Sequence, residues 1–264
     1  MTALRSAPDF ANLAGLGAED HHHWEALPPV YLWLMQNIAD GDKVLEVGPG
    51  KAPFPRADVF VDIADLSTIK GVTPEIAARS HVVDTNRERL PFADKEFDFV
   101  YCRHTLEDMW NPFLLCREMS RVGRGGYIET PSPMAELCRG IDGKCQGGNF
   151  DGRHPPWRGY YHHHWIVWEA GGTLNFVRKF PMVEAFEIDN IEFQLRSGGA
   201  YWNSYYLWED AIKLHHWQMP VDVDMLGYPH LLSDACREAT LGATRLFAFL
   251  KQYFEQKDAA VKVA

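Results

Sequence analysis

Apolar residues occur in short runs of strand length, and helical or turn-forming segments separate these runs. Five runs occupy residues 43–47, 59–63, 81–83, 97–101 and 127–129. Each is apolar nearly throughout, which is typical of strands in a parallel sheet that is covered on both faces. Before the fifth run, Phe113, Leu114, Met119 and Val122 recur at helical spacing, and a glycine-rich stop follows. This alternation predicts an α/β fold.

The second half of the chain has a different pattern. Prolines and glycines are frequent in residues 131–160, which predicts a long ordered loop. Residues 164–168 and 173–177 are predicted to form a hairpin that turns on a Gly-Gly pair. Residues 188–195 are predicted to add a further strand. We expect residues 131–235 to supply part of the final strands and a lid.

Helices are predicted near both ends of the chain. A short amphipathic helix begins at Pro28-Pro29 and ends before Gly41. Another covers residues 233–256, with Ser233 as its N-cap.

The length of 264 residues is close to the size at which a single hydrophobic core stops growing, so one main core is expected. We predict an N-terminal arm and helix over residues 1–40 and a ligand-binding core over residues 41–180. Residues 181–264 are predicted to form a cap and a C-terminal helix that pack on the same domain.

Composition narrows the classes of protein and partner. Apolar residues make up 46% and charged residues 23%, a globular balance that excludes wholesale disorder. The 26 basic and 36 acidic residues give a net charge of −10, which argues against nucleic acid as a partner. Five scattered cysteines fit a reducing compartment. With neither a signal-peptide pattern nor a membrane-spanning apolar stretch, the cytoplasm is the expected location and no membrane contact is expected.

An apolar strand runs directly into a glycine turn at residues 44–50, whose sequence is Val-Leu-Glu-Val-Gly-Pro-Gly. Glycines let a ligand approach the backbone at the carboxyl end of a strand, where open parallel sheets bind their ligands. Twelve residues after Gly50, the second strand ends in Asp62, a carboxylate placed to accept hydrogen bonds from ribose hydroxyls. The pattern predicts an adenosine-containing ligand.

Prolines in and after this turn separate the cofactor classes. A dinucleotide or nucleoside triphosphate needs free backbone N–H groups around its phosphates, and Pro49, Pro53 and Pro55 remove three of them. S-adenosylmethionine carries no phosphate, so a proline-rich turn costs it little. The residues therefore favour S-adenosylmethionine over NAD.

Several motifs in this order resemble those of class I S-adenosylmethionine-dependent methyltransferases, of the small-molecule type with a Leu-Pro-Phe signature. They are residues 46–50, Asp62, Asp84, residues 90–100, which begin with Leu-Pro-Phe, and residues 102–108. The resemblance covers roughly residues 40–135. It implies a Rossmann-like fold with a mostly parallel seven-stranded sheet and a C-terminal lid or cap.

The resemblance also implies roles for single residues. Gly48 and Gly50 would approach the adenosyl-methionine backbone of the cofactor, Asp62 would bind the ribose hydroxyls, and Asp84 would face the adenine amino group. Residues at the end of the fourth strand would border the methyl group. The predicted cofactor-binding residues are Glu46, Gly48, Pro49, Gly50, Asp62, Asp84, Cys102, Arg103 and His104.

The sequence departs from this family in two places. Only eleven residues separate Val47 from Val59, and prolines interrupt them, so the usual first crossover helix must be reduced to a turn. The family commonly has a histidine where this chain has Asp108.

The methyl acceptor is expected to be a small molecule, methylated on oxygen or nitrogen, for example a sugar or an aromatic metabolite. His104 ends the fourth strand, where the methyl group would point, and the loop after the fifth strand should fold over it. We therefore predict that at least one of His162, His163 and His164 lines the cavity opposite His104. The predicted catalytic residues are His104 and His163, and the oligomeric state is not indicated.

Eight of the twelve histidines fall in three clusters, each followed by tryptophan: residues 21–23, 162–164 and 215–216. Cys138 and Cys145 lie seven residues apart, which is the wrong spacing for a zinc knuckle. Adjacent histidines on a strand point to opposite faces, so no metal site is predicted. The alternatives are a catalytically inactive methyltransferase-fold binding module and a metal-dependent enzyme that uses the histidine clusters.

Overall fold

The computed structural model of the protein describes residues 28–139, 157–186 and 199–263. The strands in this part of the chain are β1 (Val44–Val47), β2 (Val59–Asp62), β3 (Ser80–Val82), β4 (Phe99–Arg103), β5 (Gly125–Pro131), β6 (Trp165–Ala170), β7 (Thr173–Arg178), β8 (Asn203–Glu209) and β9 (Leu214–Trp217). The helices are α1 (Pro28–Asn37), α2 (Pro74–Ala77), α3 (Pro112–Val122), α4 (Pro133–Leu137) and α5 (Tyr228–Val263).

A six-stranded sheet with the order β3-β2-β1-β4-β5-β8 forms the centre of the fold. All neighbouring strands are parallel except β5 and β8, which are antiparallel. The α/β architecture and the strands at the five apolar runs are confirmed. The predicted number of seven strands is wrong for the described residues, where the sheet has six. The strand predicted at residues 188–195 lies outside the described residues.

The predicted hairpin is confirmed as β6 and β7, and both Gly171 and Gly172 at its turn have positive φ. It pairs with β9 in a separate three-stranded sheet rather than extending the main sheet. Side chains of β6 are buried on both faces, so the strand connects two hydrophobic clusters. Trp165 and Val167 belong to the main-sheet core, whereas Ile166 and Trp168 pack in the cluster under α5.

Two of the predicted helices are confirmed as α1 and α3. Asn111 caps α3 by accepting the backbone N–H of Leu114 at 3.4 Å. The segment 131–160, predicted to be a loop, contains the short helix α4, which Ser132 caps through the N–H of Ala135 at 3.1 Å.

The predicted start of the C-terminal helix is wrong. The helix α5 begins at Tyr228, one turn before Ser233, and the Ser233 hydroxyl donates to the carbonyl of Pro229 at 3.1 Å inside the helix. Upstream, the Asp224 carboxylate accepts the N–H of Gly227 at 2.7 Å and orders the entry to the helix. Asp224 thus supplies the helix-starting signal that was assigned to Ser233.

The connection from β1 to β2 is a succession of turns, and no helix occurs within residues 48–58, all of which the structure describes. The predicted loss of the first crossover helix is therefore confirmed. Among the described helices, none combines the length and the apolar character that a membrane span needs.

Candidate cofactor and acceptor site

A cavity of about 470 Å³ opens at the carboxyl ends of β1, β2 and β4. This is the edge where open parallel sheets bind ligands, and the volume lies in the usual range of small-molecule sites. Its wall includes Gly48, Gly50, Asp62, Asn86, His104 and Asp108. The structure therefore brings together the glycine turn, the second-strand carboxylate and the histidine after β4.

The glycine turn is built so that only glycine fits at its first position. Gly48 has φ +74°, and a Cβ there would lie 2.1 Å from the hydroxyl oxygen of Thr105. Its N–H donates to the carbonyl of Val61 at 2.8 Å, which holds the turn against β2. Gly50 has φ +52° and open space beside it. The backbone at this point is accessible from the cavity.

Two backbone N–H groups hold the Asp62 carboxylate in place. One oxygen accepts from Gly50 at 3.2 Å and the other accepts from Ala64 at 2.9 Å. Each carboxylate oxygen has a further lone pair, so both can still accept from a ligand hydroxyl. This arrangement suits the two neighbouring hydroxyls of a ribose.

Asp84 does not form part of the cavity wall, although residues next to it do. Its carboxylate accepts the N–H of Asn86 at 3.1 Å. The Asn86 side chain lies on the wall, and its oxygen accepts the N–H groups of Trp110 at 2.8 Å and Asn111 at 3.1 Å. Asp84 thus shapes the loop, while Thr85 and Asn86 face the cavity.

The side chains of Glu46, Pro49, Cys102 and Arg103 are also not among those that line the cavity. Glu46 is buried and accepts the N–H of Phe54 at 2.7 Å, and burial raises the pKa of its carboxyl to about 8. Cys102 is buried in the core, and burial raises the pKa of its thiol. Arg103 donates to Glu129 at 3.0 Å. These residues form a layer behind the wall.

Glu46 makes the stability of the cofactor-free protein depend on pH. Because its pKa rises from 4.5 to about 8 on folding, the contribution is present at low pH and is lost as pH rises through 8. We expect the free energy of unfolding of Glu46→Gln, relative to that of the natural protein, to rise by about 1 kcal/mol or more when the pH is raised from 5 to 8. Urea unfolding at the two pH values measures this, with Glu96→Gln, at a partly exposed glutamate, as control. Equal pH dependence in both variants would contradict the burial of Glu46.

His104 combines a strained backbone with a partly buried ring. Its φ is +46°, which is unusual for a residue with a side chain, and such strain is concentrated at functional sites. Its N–H donates to the carbonyl of Glu129 at 2.9 Å. Burial first, and then the charge of Arg103, lower the pKa of the imidazole to about 3. The ring is therefore neutral at physiological pH.

Two carboxylates after β4 stand close to this ring. Glu107 Oε1 lies 3.4 Å from His104 Nδ1. Glu107 is 1% exposed, neither of its carboxylate oxygens has a hydrogen-bond partner, and burial raises its pKa to about 7. Burial and then Glu107 raise the pKa of Asp108, on the cavity wall, to about 6. The protein concentrates acidic groups at this end of the cavity.

None of the three histidines at residues 162–164 lines the cavity itself. They pack against residues that do. His163 Nε2 lies 3.6 Å from Asp108 Oδ1, and His163 Nδ1 is bonded to Glu136 at 2.5 Å. The N–H of His164 donates to the carbonyl of Glu107 at 2.7 Å, and its ring packs on Trp110. His163 thus lies beside the wall but faces Asp108.

Glu136 binds His163 on the side of the ring away from Asp108. Lys179 donates to its second oxygen at 2.6 Å. Burial alone would raise the pKa of Glu136, but the charges of His163 and Lys179 outweigh it and lower the value to about 2. Despite its own burial, the pKa of His163 is raised, chiefly by Glu136. Glu136 was not predicted from the sequence, where only the proline before it indicates a helix start.

One segment of the chain matches a known protein family. Residues 58–128 match the family described as "Methyltransferase domain", and this segment runs from the start of β2 into β5. This part of the chain is therefore similar to a methyltransferase domain. A comparison with curated proteins gives no match.

Three solved structures that match part of the chain at low sequence identity are described as methyltransferases. A putative methyltransferase of Bacillus halodurans is 20% identical, with a TM-score of 0.31, over 40% of this chain and 51% of that one. An S-adenosylmethionine-dependent methyltransferase of Mesorhizobium loti is 15% identical, with a TM-score of 0.35, over 63% and 66%. A putative methyltransferase in complex with the Trm112 activator of Haloferax volcanii is 14% identical, with a TM-score of 0.41, over 73% and 92%. The aligned part spans about half of the first of these chains.

Proposed function

We propose that this protein transfers the methyl group of S-adenosylmethionine to an oxygen or nitrogen atom of a small-molecule acceptor. The observation that carries the proposal is the cavity, which joins the glycine turn, Asp62 and His104 at one edge of the sheet. A net charge of −10 makes a nucleic acid acceptor unfavourable. The cytoplasm remains the predicted location.

Different parts of the wall would hold different parts of the cofactor. Asp62 would accept the ribose hydroxyls, because its carboxylate keeps free lone pairs while two backbone N–H groups fix its position. The exposed backbone at Gly48 and Gly50 would border the methionine part. Asn86 would face the adenine, with Asp84 holding the loop behind it. When bound, the cofactor supplies an electrophilic methyl group.

His104 is the proposed base on the acceptor side. Its ring is neutral and could take a proton from an acceptor hydroxyl, but a pKa of about 3 makes it a weak base, so the nearby Glu107 carboxyl would have to stabilise the imidazolium that forms. His163 is proposed to act through Asp108, which it contacts from behind the wall and so holds at the acceptor end. The principal contribution to the rate would come from holding acceptor and methyl donor in line.

Binding of S-adenosylhomocysteine, measured by calorimetry, tests the cofactor assignment directly. We expect Asp62→Ala to weaken binding by about 1–3 kcal/mol, or roughly 5- to 150-fold, because it leaves ribose hydroxyls without an acceptor. The control is Asp65→Ala, since Asp65 is an exposed carboxylate that caps the turn at Ser67 and does not line the cavity. Tight binding of NAD, without binding of S-adenosylhomocysteine, would refute the proposal.

Methyl transfer from labelled cofactor to a panel of small hydroxyl and amine compounds tests the activity itself. His104→Ala should slow transfer while S-adenosylhomocysteine affinity stays nearly unchanged, because the proposed role serves the acceptor. Binding of the cofactor without transfer to any compound would favour the inactive binding module.

A further inference from the structure

Asp108, His162 and His163 form a compact cluster at the acceptor end of the cavity. The Nε2 atoms of His162 and His163 each lie 3.6 Å from Asp108 Oδ1, and one ligand atom of each residue lies within 4.8 Å of the others. Separations of 3.6 Å are too long for hydrogen bonds. Two ligands bonded at 2.0–2.2 Å to one tetrahedral ion lie about 3.4 Å apart, which is close to the observed spacing.

The position of the histidines in the chain explains how two adjacent residues can both contact one metal ion here. Alternation of side chains between two faces holds within a strand. The strand β6 begins only at Trp165, and His162 and His163 precede it, in a turn and in the irregular chain that follows it. Their ring centroids are 4.6 Å apart, so both rings are on the same side of the chain as Asp108.

His163 is already oriented as metal-binding histidines usually are. Its Nδ1 is bonded to Glu136, which leaves Nε2 as the atom directed at Asp108. A carboxylate behind a histidine fixes the ring and its tautomer and strengthens the other nitrogen as a ligand. Glu136 is itself held by Lys179. A Cβ at Gly159 would lie 2.5 Å from the Glu136 backbone, so the chain before the histidines packs closely on this residue.

A second and independent observation is the buried carboxyl of Glu107, which stands 3.4 Å from His104 but accepts no hydrogen bond. This carboxylate precedes Asp108 in the chain, is 1% exposed, and has no hydrogen-bond partner on either oxygen. A buried carboxylate without a partner is costly, so a positive ion nearby would be stabilising. The N–H of His164 donates to the Glu107 carbonyl at 2.7 Å, which fixes the histidine segment against this corner.

We propose that Asp108, His162 and His163 bind one divalent transition metal ion, of which zinc is the representative. Two imidazoles and a carboxylate are ligands that zinc accepts, and three protein ligands leave a position open, as in catalytic rather than structural sites. Asp108 also lines the cavity, so the open position would face the acceptor.

The ion would select acceptors that carry a hydroxyl group, and this use rests on the proposed function. A hydroxyl bound to a divalent ion loses its proton more readily. The proton would pass to His104, a bond would form between the acceptor oxygen and the methyl carbon, and the bond from that carbon to sulfur would break. Metal binding itself does not depend on methyl transfer.

Equilibrium dialysis of the full chain, stripped with a chelator and then exposed to Zn²⁺ or Co²⁺ without cofactor, tests the site. We expect one ion per chain at this site, with Co²⁺ giving the visible absorption of a four-coordinate nitrogen and oxygen site. His162→Ala should weaken binding at least about tenfold. His162 is exposed, so its removal leaves the core intact.

The matched control is His215→Ala, an exposed histidine of another His-Trp cluster on β9, which should bind like the natural protein. Asp108→Asn provides a second variant, whose affinity for zinc should also fall. Equal zinc affinity in the natural protein, His162→Ala and Asp108→Asn would overturn the proposal, as would the absence of stoichiometric binding. Because calorimetry with S-adenosylhomocysteine needs no metal, failure of the metal site and failure of the cofactor assignment are separate results.

Discussion

Glu136→Ala is expected to lower the free energy of unfolding by about 3–5 kcal/mol, because it leaves Lys179 and His163 buried without their shared partner. Both contacts are direct, and all three side chains are buried. Urea unfolding at pH 7 in the presence of a chelator measures the loss. Glu136→Gln keeps the volume and should lose less, since its amide oxygen can still accept one hydrogen bond.

Glu96→Ala is the control for this prediction, because Glu96 pairs with Lys43 at the surface. An exposed pair of this kind contributes at most about 1 kcal/mol. The pH dependence supplies a second criterion. Since folding lowers the pKa of Glu136 from 4.5 to about 2, its contribution is present above pH 4.5 and is lost as pH falls towards 2. The difference between the natural protein and Glu136→Ala should therefore shrink in acid, and a constant difference would contradict the ion pair.

Gly48→Ala is expected to cost about 2–5 kcal/mol of stability and to abolish measurable cofactor binding. A side chain in the left-handed region costs about 1–2 kcal/mol, and overpacking adds about 1–3 kcal/mol. The added methyl group would lie 2.1 Å from the Thr105 hydroxyl oxygen, so either the turn or the chain after His104 must shift. Both segments line the cavity.

Two further variants separate strain from collision at Gly48. Gly171→Ala has a similar backbone angle, φ +59°, but nothing within 4 Å of the new methyl group, so it should lose only the backbone contribution. Adding Thr105→Ala to Gly48→Ala removes the nearest atom and should restore part of the stability. Thermal unfolding and calorimetry with S-adenosylhomocysteine report the two effects. No recovery in the double variant would show that Thr105 does not limit the turn.

The sequence carries enough information to locate the sheet and one side of the candidate site. Short apolar runs mark the strands β1 to β5, the glycine turn follows β1 and Asp62 ends β2, so local pattern identifies them. The strand β8 was not predicted because its pairing with β5 is antiparallel and joins residues far apart in the chain. Propensity alone does not specify such a contact.

The acceptor side was harder to predict, because its residues meet only in the folded chain. Glu107 and Asp108 follow β4, whereas His163 precedes β6 and Glu136 lies in α4. Sequence motifs for metal sites place the ligands a few residues apart. They therefore do not detect Asp108 together with His162 and His163. Asp84 was the carboxylate expected to face the adenine, and its neighbour Asn86 is the residue that lines the cavity.

The strand β6 couples the stability of two hydrophobic cores, the main-sheet core and the cluster under α5. Its alternate side chains fill two different cores, with Trp165 and Val167 on one side and Ile166 and Trp168 on the other. Loss of this strand would expose both hydrophobic cores at once. The layer under α5, together with the histidines before β6, therefore cannot unfold while the main-sheet layer stays folded. The two layers therefore constitute a single cooperative unit of unfolding. A motion that admits an acceptor must therefore leave β6 in place.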